Sequence, residues 1–208
     1  MTSFTGAGLT CFRGERVVFS GLDFCVEPGD ALVLRGPNGS GKTSLLRLMA
    51  GLLRPIAGEL SWADGPIAEN PDEHNRRIHF VGHLDAVKPV LTVAENLGFW
   101  AKLRGSGETV GAALETFGIG HLAEVPGRYL SAGQRRRLNL ARIVAAPTPL
   151  WLLDEPTTAL DSDAVSKLVA AIKMHRSGGG MVITSTHTDL HLDDERILNL
   201  SEFTEFTQ

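Results

Sequence analysis

Cysteine is nearly absent from this chain. Cys11 and Cys25 are its only two, and their spacing suits no metal ion. A thiolate metal centre is set aside, and two reduced, buried thiols in a cytosolic chain are expected instead. Long hydrophobic runs are missing too: no stretch approaches the ~18 to 20 apolar residues that cross a bilayer. The first residues, Met1-Thr2-Ser3-Phe4-Thr5-Gly6, lack the basic-then-apolar order of a secretory signal. If the chain works at a membrane, another protein is expected to hold it there. Nor is there an excess of positive charge. The 20 Lys and Arg against 24 Asp and Glu give a net charge of −4, which argues against general nucleic-acid binding. No internal repeat and no low-complexity segment interrupts the sequence.

What is present is an ordinary globular composition, 43% hydrophobic and 21% charged over 208 residues. That length predicts a single domain, residues 1–208, with a substantial core. The N-terminal quarter reads as strands. Val17, Val18 and Phe19 form a β-branched and aromatic run, and Leu22, Phe24 and Val26 alternate with Asp23, Cys25 and Glu27. After the turn Pro28-Gly29-Asp30, the apolar run Ala31 to Leu34 has the pattern of a strand covered on both faces. Leu45, Leu46, Leu48 and Met49 then predict a helix over 44–51, and Glu59 to Trp62 another strand. Residues 64–77 are polar, contain Gly65, Pro66 and Pro71, and read as a surface loop. Arg77 to Val81 is a strand ending near His83.

A capping box, Thr92-x-x-Glu95, opens a helix with Val93, Leu97, Trp100 and Leu103 on one face. A second helix is predicted from Glu108 to Phe117, stopping at Gly118. A third has Ser131 as its N-cap and presents Leu138, Ala141 and Val144. Residues from about 88 to 146 thus form a helical lobe inserted between α/β parts. Leu150 to Leu153 and Met181 to Thr184 are the remaining central strands, and no pattern is visible after Leu200.

Five short segments carry the chemistry. The first, Gly36-Pro37-Asn38-Gly39-Ser40-Gly41-Lys42-Thr43, is G-x-x-x-x-G-K-[ST], which chance supplies in about one chain of this size in a hundred. Its glycines let successive N–H groups surround a β-phosphate, and the helix opening through Ser44 points its positive end at the same anion. Lys42 is placed to reach the β/γ oxygens, and the Thr43 hydroxyl to ligate magnesium. The strand Leu150-Trp151-Leu152-Leu153 delivers Asp154, a direct or water-mediated magnesium ligand, followed by Glu155, a candidate general base. Pro156 turns the chain out of the sheet. In Leu130-Ser131-Ala132-Gly133-Gln134, the capped helix start makes a second anion site. One nucleotide already has its cradle, so the second site is expected to serve another subunit's γ-phosphate. Ala159-Leu160-Asp161 and a lone His187 complete the set.

Together these segments resemble the ATP-binding subunit of ABC transporters over essentially the whole chain. The resemblance implies an α/β fold of the P-loop NTPase type: a RecA-like core, an N-terminal antiparallel β-subdomain and an inserted α-helical subdomain. It implies ATP and Mg2+ as ligands and ATP hydrolysis as the reaction. The active form would be a head-to-tail homodimer attached to integral membrane subunits. By position, Asp161 resembles the loop crossing the dimer interface, His187 the switch histidine at the γ-phosphate, and Phe12 the aromatic that stacks on adenine. A core phenylalanine is the alternative at Phe12, and a structural loop histidine at His187.

Two positions depart from the family pattern. His83 stands where glutamine is usual; it can still hydrogen-bond water or a magnesium ligand, but is shorter. Ala132 replaces a glycine, and a negative backbone angle there would tolerate a close phosphate. With Phe19-Ser20-Gly21-Leu22, Gly82-His83 and Leu130 to Arg137, these features resemble the ATPase subunit of the cytochrome c maturation heme exporter. That resemblance implies a place on the cytoplasmic face of the bacterial inner membrane and a role in releasing heme-loaded chaperone. Another small ABC exporter remains open as an alternative, as does a non-hydrolysing ATP-dependent clamp. So does a soluble ABC-type ATPase of translation or DNA repair, although tandem cassettes and long coiled-coil insertions are lacking. Arg135, Arg136 and Arg137 read as a solvated helix face. Phe99 and Trp100 suit either a groove for a membrane subunit's helix or the core. His74, His79, His121, His175 and His191 show no ligand spacing, so no further metal site is expected.

Overall fold

The computed structural model describes residues 2–105 and 109–203. Its centre is a five-stranded, wholly parallel sheet built from β3 (Ala31–Arg35), β6 (Ile78–Val81), β7 (Leu150–Asp154), β8 (Met181–Ser185) and β9 (Arg196–Asn199), in the order β6-β7-β8-β3-β9. Beside it lies an antiparallel sheet of β1 (Phe4–Arg13), β2 (Arg16–Val26), β4 (Ala57–Trp62) and the two-residue β5 (Gly65–Pro66), in the order β2-β1-β4-β5. The helices are α1 (Lys42–Met49), α2 (Pro71–Arg77), α3 (Val93–Leu103), α4 (Val110–Thr116), α5 (Ala132–Ala145) and α6 (Ser162–Ser177).

The period-two pleat divides the core into two. On β7 and β8, Leu150, Leu152, Met181 and Ile183 join α1 and the antiparallel sheet in one cluster. Their neighbours Trp151, Leu153 and Val182 face the opposite way, into a cluster with α3, α4, α5 and α6. Burial on both faces is why these strands read as continuous apolar runs. On β2 the predicted alternation appears directly, with Leu22, Phe24 and Val26 buried and Asp23 exposed.

Capping fixes where α3 and α5 begin. Thr92 accepts from the Glu95 N–H while Glu95 accepts from Thr92; Ser131 and Gln134 form the same reciprocal pair. Each satisfies two N–H groups that a helix start leaves unpaired.

The reading of 64–77 as a loop is overturned by β5 and α2. The α2 signals are local: Asn70 accepts from the Glu73 N–H, Pro71 sits in the first turn, and His74, Arg76 and Arg77 crowd the last. Only His74 on this helix is buried, so no apolar period announced it. The first helix starts at Lys42 rather than Ser44, and Glu108 of the predicted second helix lies outside the described residues. After Leu200 a short 3-10 turn packs Phe203 on the core. Strands β1 and β9 and helix α6 complete the layers without having been read from the sequence. Among the described residues, no helix is long and apolar enough to cross a membrane.

Candidate nucleotide-binding site

Three chain segments converge where the parallel strands end. The loop after β3 passes into α1, Asp154 and Glu155 leave β7, and His187 follows β8. Between them, and under the β1–β2 hairpin, opens a cavity of about 720 Å³ that Lys42, Thr43, Asp154, Glu155 and His187 all line.

The loop conformation demands glycine. Gly36 sits at φ 142, where an added Cβ would meet Ser40 Oγ at 2.7 Å. Gly41 sits at φ 101, and a Cβ there would strike Val18 Cγ1 at 2.6 Å. Both the angle and the space exclude a side chain. Lys42 is buried and arches back, its Nζ donating to Gly36 O (2.8 Å) and Pro37 O (3.1 Å). An ammonium has three N–H groups, so one is left to face the cavity. Ser40 Oγ is buried with no partner among the described residues. Pro37, Asn38 and Gly39 form the exposed crest of the loop, and Ser44 follows Thr43 on the cavity wall.

Asp154 is 2% exposed, and Oδ1 accepts from Thr43 Oγ1 at 3.1 Å and Ser185 Oγ at 2.7 Å. A hydroxyl and a carboxylate already in contact beside a phosphate cradle are the donor set a hard divalent cation takes, so these residues fit Mg2+. Glu155 has φ 46, a left-handed angle costly for a non-glycine residue. Its N–H reaches Ser185 O (3.0 Å) and Ser185 Oγ (3.1 Å). Its Oε1 lies 3.4 Å from His187 Nε2, which also lies 3.2 Å from Asn38 Oδ1. The glycine loop, the end of β7 and His187 thus touch one another.

The others stand apart. Ser131, Gly133 and Gln134 do not line this cavity. Ala132 lies in α5 with a negative φ, meeting the condition set for it, and a Cβ on Gly133 would approach Ala159 O at 3.0 Å. Asp161 caps α6, and the Ala164 N–H, with Arg137 beside it, holds its carboxyl below the usual carboxylate range. Phe12 is 48% exposed, which removes the core reading. It does not line the cavity itself, whereas the adjacent Arg13 does, with Arg16. His83 is exposed and lines a separate depression of about 360 Å³ with Leu84, Arg142 and Asp154.

The reading of Arg135 to Arg137 as solvated charge is wrong for the middle residue. Arg136 is 2% exposed, and all three side chains are bonded to protein: Arg135 to Leu130 O, Arg137 to Asp161, and Arg136 to the chain around Asp154. The missed signal was spacing: Arg136, Asn139, Leu140 and Ile143 fall on one helical face, all buried. Arg13, Arg16 and Ser185 were also missed; only their place in the fold identifies them.

The ABC transporter family profile matches residues 19–158. A cytochrome c biogenesis ATP-binding export protein CcmA from Rhodospirillum rubrum is 58% identical over 201 residues, 96% of this chain and 86% of that protein. The protein of the same description from Paramagnetospirillum magneticum is 54% identical, covering 97% of this chain and 95% of its own length. Among solved structures, an ABC transporter ATP-binding protein from Pyrococcus furiosus has a TM-score of 0.85 at 26% identity, over 98% of this chain and 100% of that one.

Proposed function

The chain belongs to the ABC transporter family, in its CcmA branch, and from that premise we propose that it is the ATP-hydrolysing engine of a heme-handling export complex in cytochrome c biogenesis. ATP binding and ATPase activity follow from the family. The finer roles are our reading of the site. The 36–44 loop holds the phosphates, with Lys42 supplying charge. Thr43 and Asp154 hold Mg2+, which when bound neutralises phosphate charge; His83 acts there only through water. Glu155 takes the proton of the attacking water, and His187 binds the γ-phosphate. Phe12 covers the adenine from the hairpin end.

One observation carries the assembly. Ser131, Gly133 and Gln134 form a capped helix N-terminus that does not line the cavity built by the glycine loop, the end of β7 and His187. We read it as the lid of a second copy's nucleotide, in a head-to-tail homodimer with Asp161 near the seam. The depression behind Asp154, with Leu84 85% exposed at its edge, is the seat of an integral membrane subunit at the cytoplasmic face of the inner membrane. On α3, Trp100 lies under Arg142, which lines that depression, and Phe99 packs edge-on against Trp100.

Mixing tests the composite site. Lys42→Ala and Ser131→Arg chains are each expected to be inactive. Combined equally, random pairing gives half heterodimers, each with one intact site, hence about one quarter of wild-type turnover. No recovery would refute shared sites. Pull-down from detergent-solubilised membranes is expected to recover a heme-handling membrane protein, and an unrelated permease would end the heme reading.

A further inference from the structure

Arg136 projects from α5 into the interior behind the site, and each of its N–H groups finds an acceptor. Nε donates to Pro156 O (3.2 Å), and Nη2 to Asp154 O (3.0 Å) and Glu155 O (2.7 Å). Nη1 donates to Gly82 O (2.8 Å) and Asp85 Oδ1 (3.3 Å). A guanidinium carries five N–H groups in one rigid plane. The inventory is complete, so the plane can neither rotate nor tilt without losing a bond to a buried carbonyl. One side of the fork grips three consecutive carbonyls of the loop leaving β7. The other grips the 82–85 segment, which borders the depression assigned above to the membrane subunit.

The grip matters because Glu155 holds an unfavourable φ of 46. Its N–H is fixed by Ser185 on β8, and its carbonyl by Arg136 on α5. With both neighbouring peptides fixed, the carboxylate is delivered to the cavity beside His187. The Thr158 N–H also donates to the Glu155 carbonyl, at 3.2 Å, but within the same loop, so Arg136 at 2.7 Å is the bond that ties this carbonyl to α5.

We propose that Arg136 is a positioning residue for ATP hydrolysis, holding the Glu155 peptide in its left-handed conformation and tying it rigidly to the 82–85 segment. This rests on the reading of Glu155 as the base. Displacement of 82–85 by a docked partner therefore moves the Glu155 carbonyl through a single planar group, with no mobile link between.

Arg136→Lys keeps the charge and loses the fork. Turnover kcat is expected to fall about 100-fold, with KM for Mg-ATP within about threefold, because positioning in the reacting complex is lost and binding is not. A purely structural role would lower the folded fraction and leave kcat per folded molecule intact. In a Glu155→Gln background the same change should cost less than about threefold more, since both act on one step. Unchanged kcat in folded Arg136→Lys, or losses that multiply, would overturn the proposal alone. Full activity of Glu155→Gln by itself would instead sink the base reading, and the proposal with it. Should Arg136→Lys not fold, Asp85→Ala removes one acceptor at a side chain 23% exposed. There kcat is expected to fall about fivefold at constant KM, and an unaltered kcat would overturn the link to 82–85.

Discussion

Ser185→Ala isolates the support of the proposed metal ligand from the ligand itself. Ser185 ends β8, is fully buried, and faces Asp154 across the parallel ladder. Its hydroxyl donates to Asp154 Oδ1 at 2.7 Å and accepts from the Glu155 N–H at 3.1 Å. Alanine removes one atom and leaves no cavity worth counting. The Glu155 N–H keeps Ser185 O at 3.0 Å, so no backbone donor is orphaned. What is lost is one hydrogen bond to a buried carboxylate, worth about 1.5 to 3 kcal/mol. Taking about 2 kcal/mol, a domain of this size should melt roughly 4 to 8 °C lower, read by thermal unfolding without nucleotide. Asp154 would also lose half the pair of hydroxyls that orient it. Apparent Mg2+ affinity in the ATPase assay should then weaken by about 10- to 100-fold, with much of the rate restored at high Mg2+. Ser185→Thr, which returns the hydroxyl, should recover both. A melting shift under about 1 °C together with an unaltered Mg2+ requirement would refute the argument.

Acid should destabilise the fold through its buried imidazoles. Burial, aided by the charges of Arg142 and Arg104, holds His79 down to about 3, and burial holds His175 down to about 4. Below pH 6.5 the unfolded chain takes up protons that these folded groups refuse, so stability is full above that pH and falls as pH drops. At roughly 1.4 kcal/mol per unit, His79 alone accounts for about 2 to 3 kcal/mol by pH 4.5. Urea titrations should show His79→Gln with a shallower acid limb, and parallel curves would contradict it. Asn96 is buried, accepting from the Lys88 N–H and donating to Lys88 O, Leu91 O and Thr92 O. Asn96→Ala should cost about 2 to 4 kcal/mol and speed amide exchange at Lys88 above all; unchanged exchange there would show that the turn holds without it.

The residues legible in the sequence were those whose chemistry is local. A glycine loop, a strand ending in Asp154 and Glu155, and a capped helix each need only neighbours in the chain, so spacing revealed them. Leu22, Phe24 and Val26 gave away their strand because one face is dry. Two of the missed elements lack that signature. Helix α2 buries only His74, and β9 exposes both Arg196 and Ile197, so neither shows an apolar period. Arg136 was misread for a different reason. A run of three arginines looks solvated until the helix face of the middle one is compared with Asn139, Leu140 and Ile143. Ser185 carried no sequence mark, since its role depends on lying opposite Asp154 in a pairing that joins residues 31 apart.

The exposure of the site bears on why hydrolysis would be coupled to assembly. The side chains holding the inner wall are buried: Lys42 at 8% and Asp154 at 2% exposed. The outer wall is not, with His187 at 59% of its side chain exposed. A γ-phosphate placed between Lys42 and His187 would therefore be cradled on one side and open to water on the other. Charge stabilisation in such a half-open site is weakened by the dielectric of bulk solvent, and attack by a single oriented water competes with disordered ones. A second helix N-terminus laid over the open side would exclude that water and add N–H donors to the same phosphate. The chain carries such a terminus at Ser131, which does not line its own cavity. In the proposed dimer, what one copy lacks the other would supply, and turnover should rise with any partner that presses two copies together.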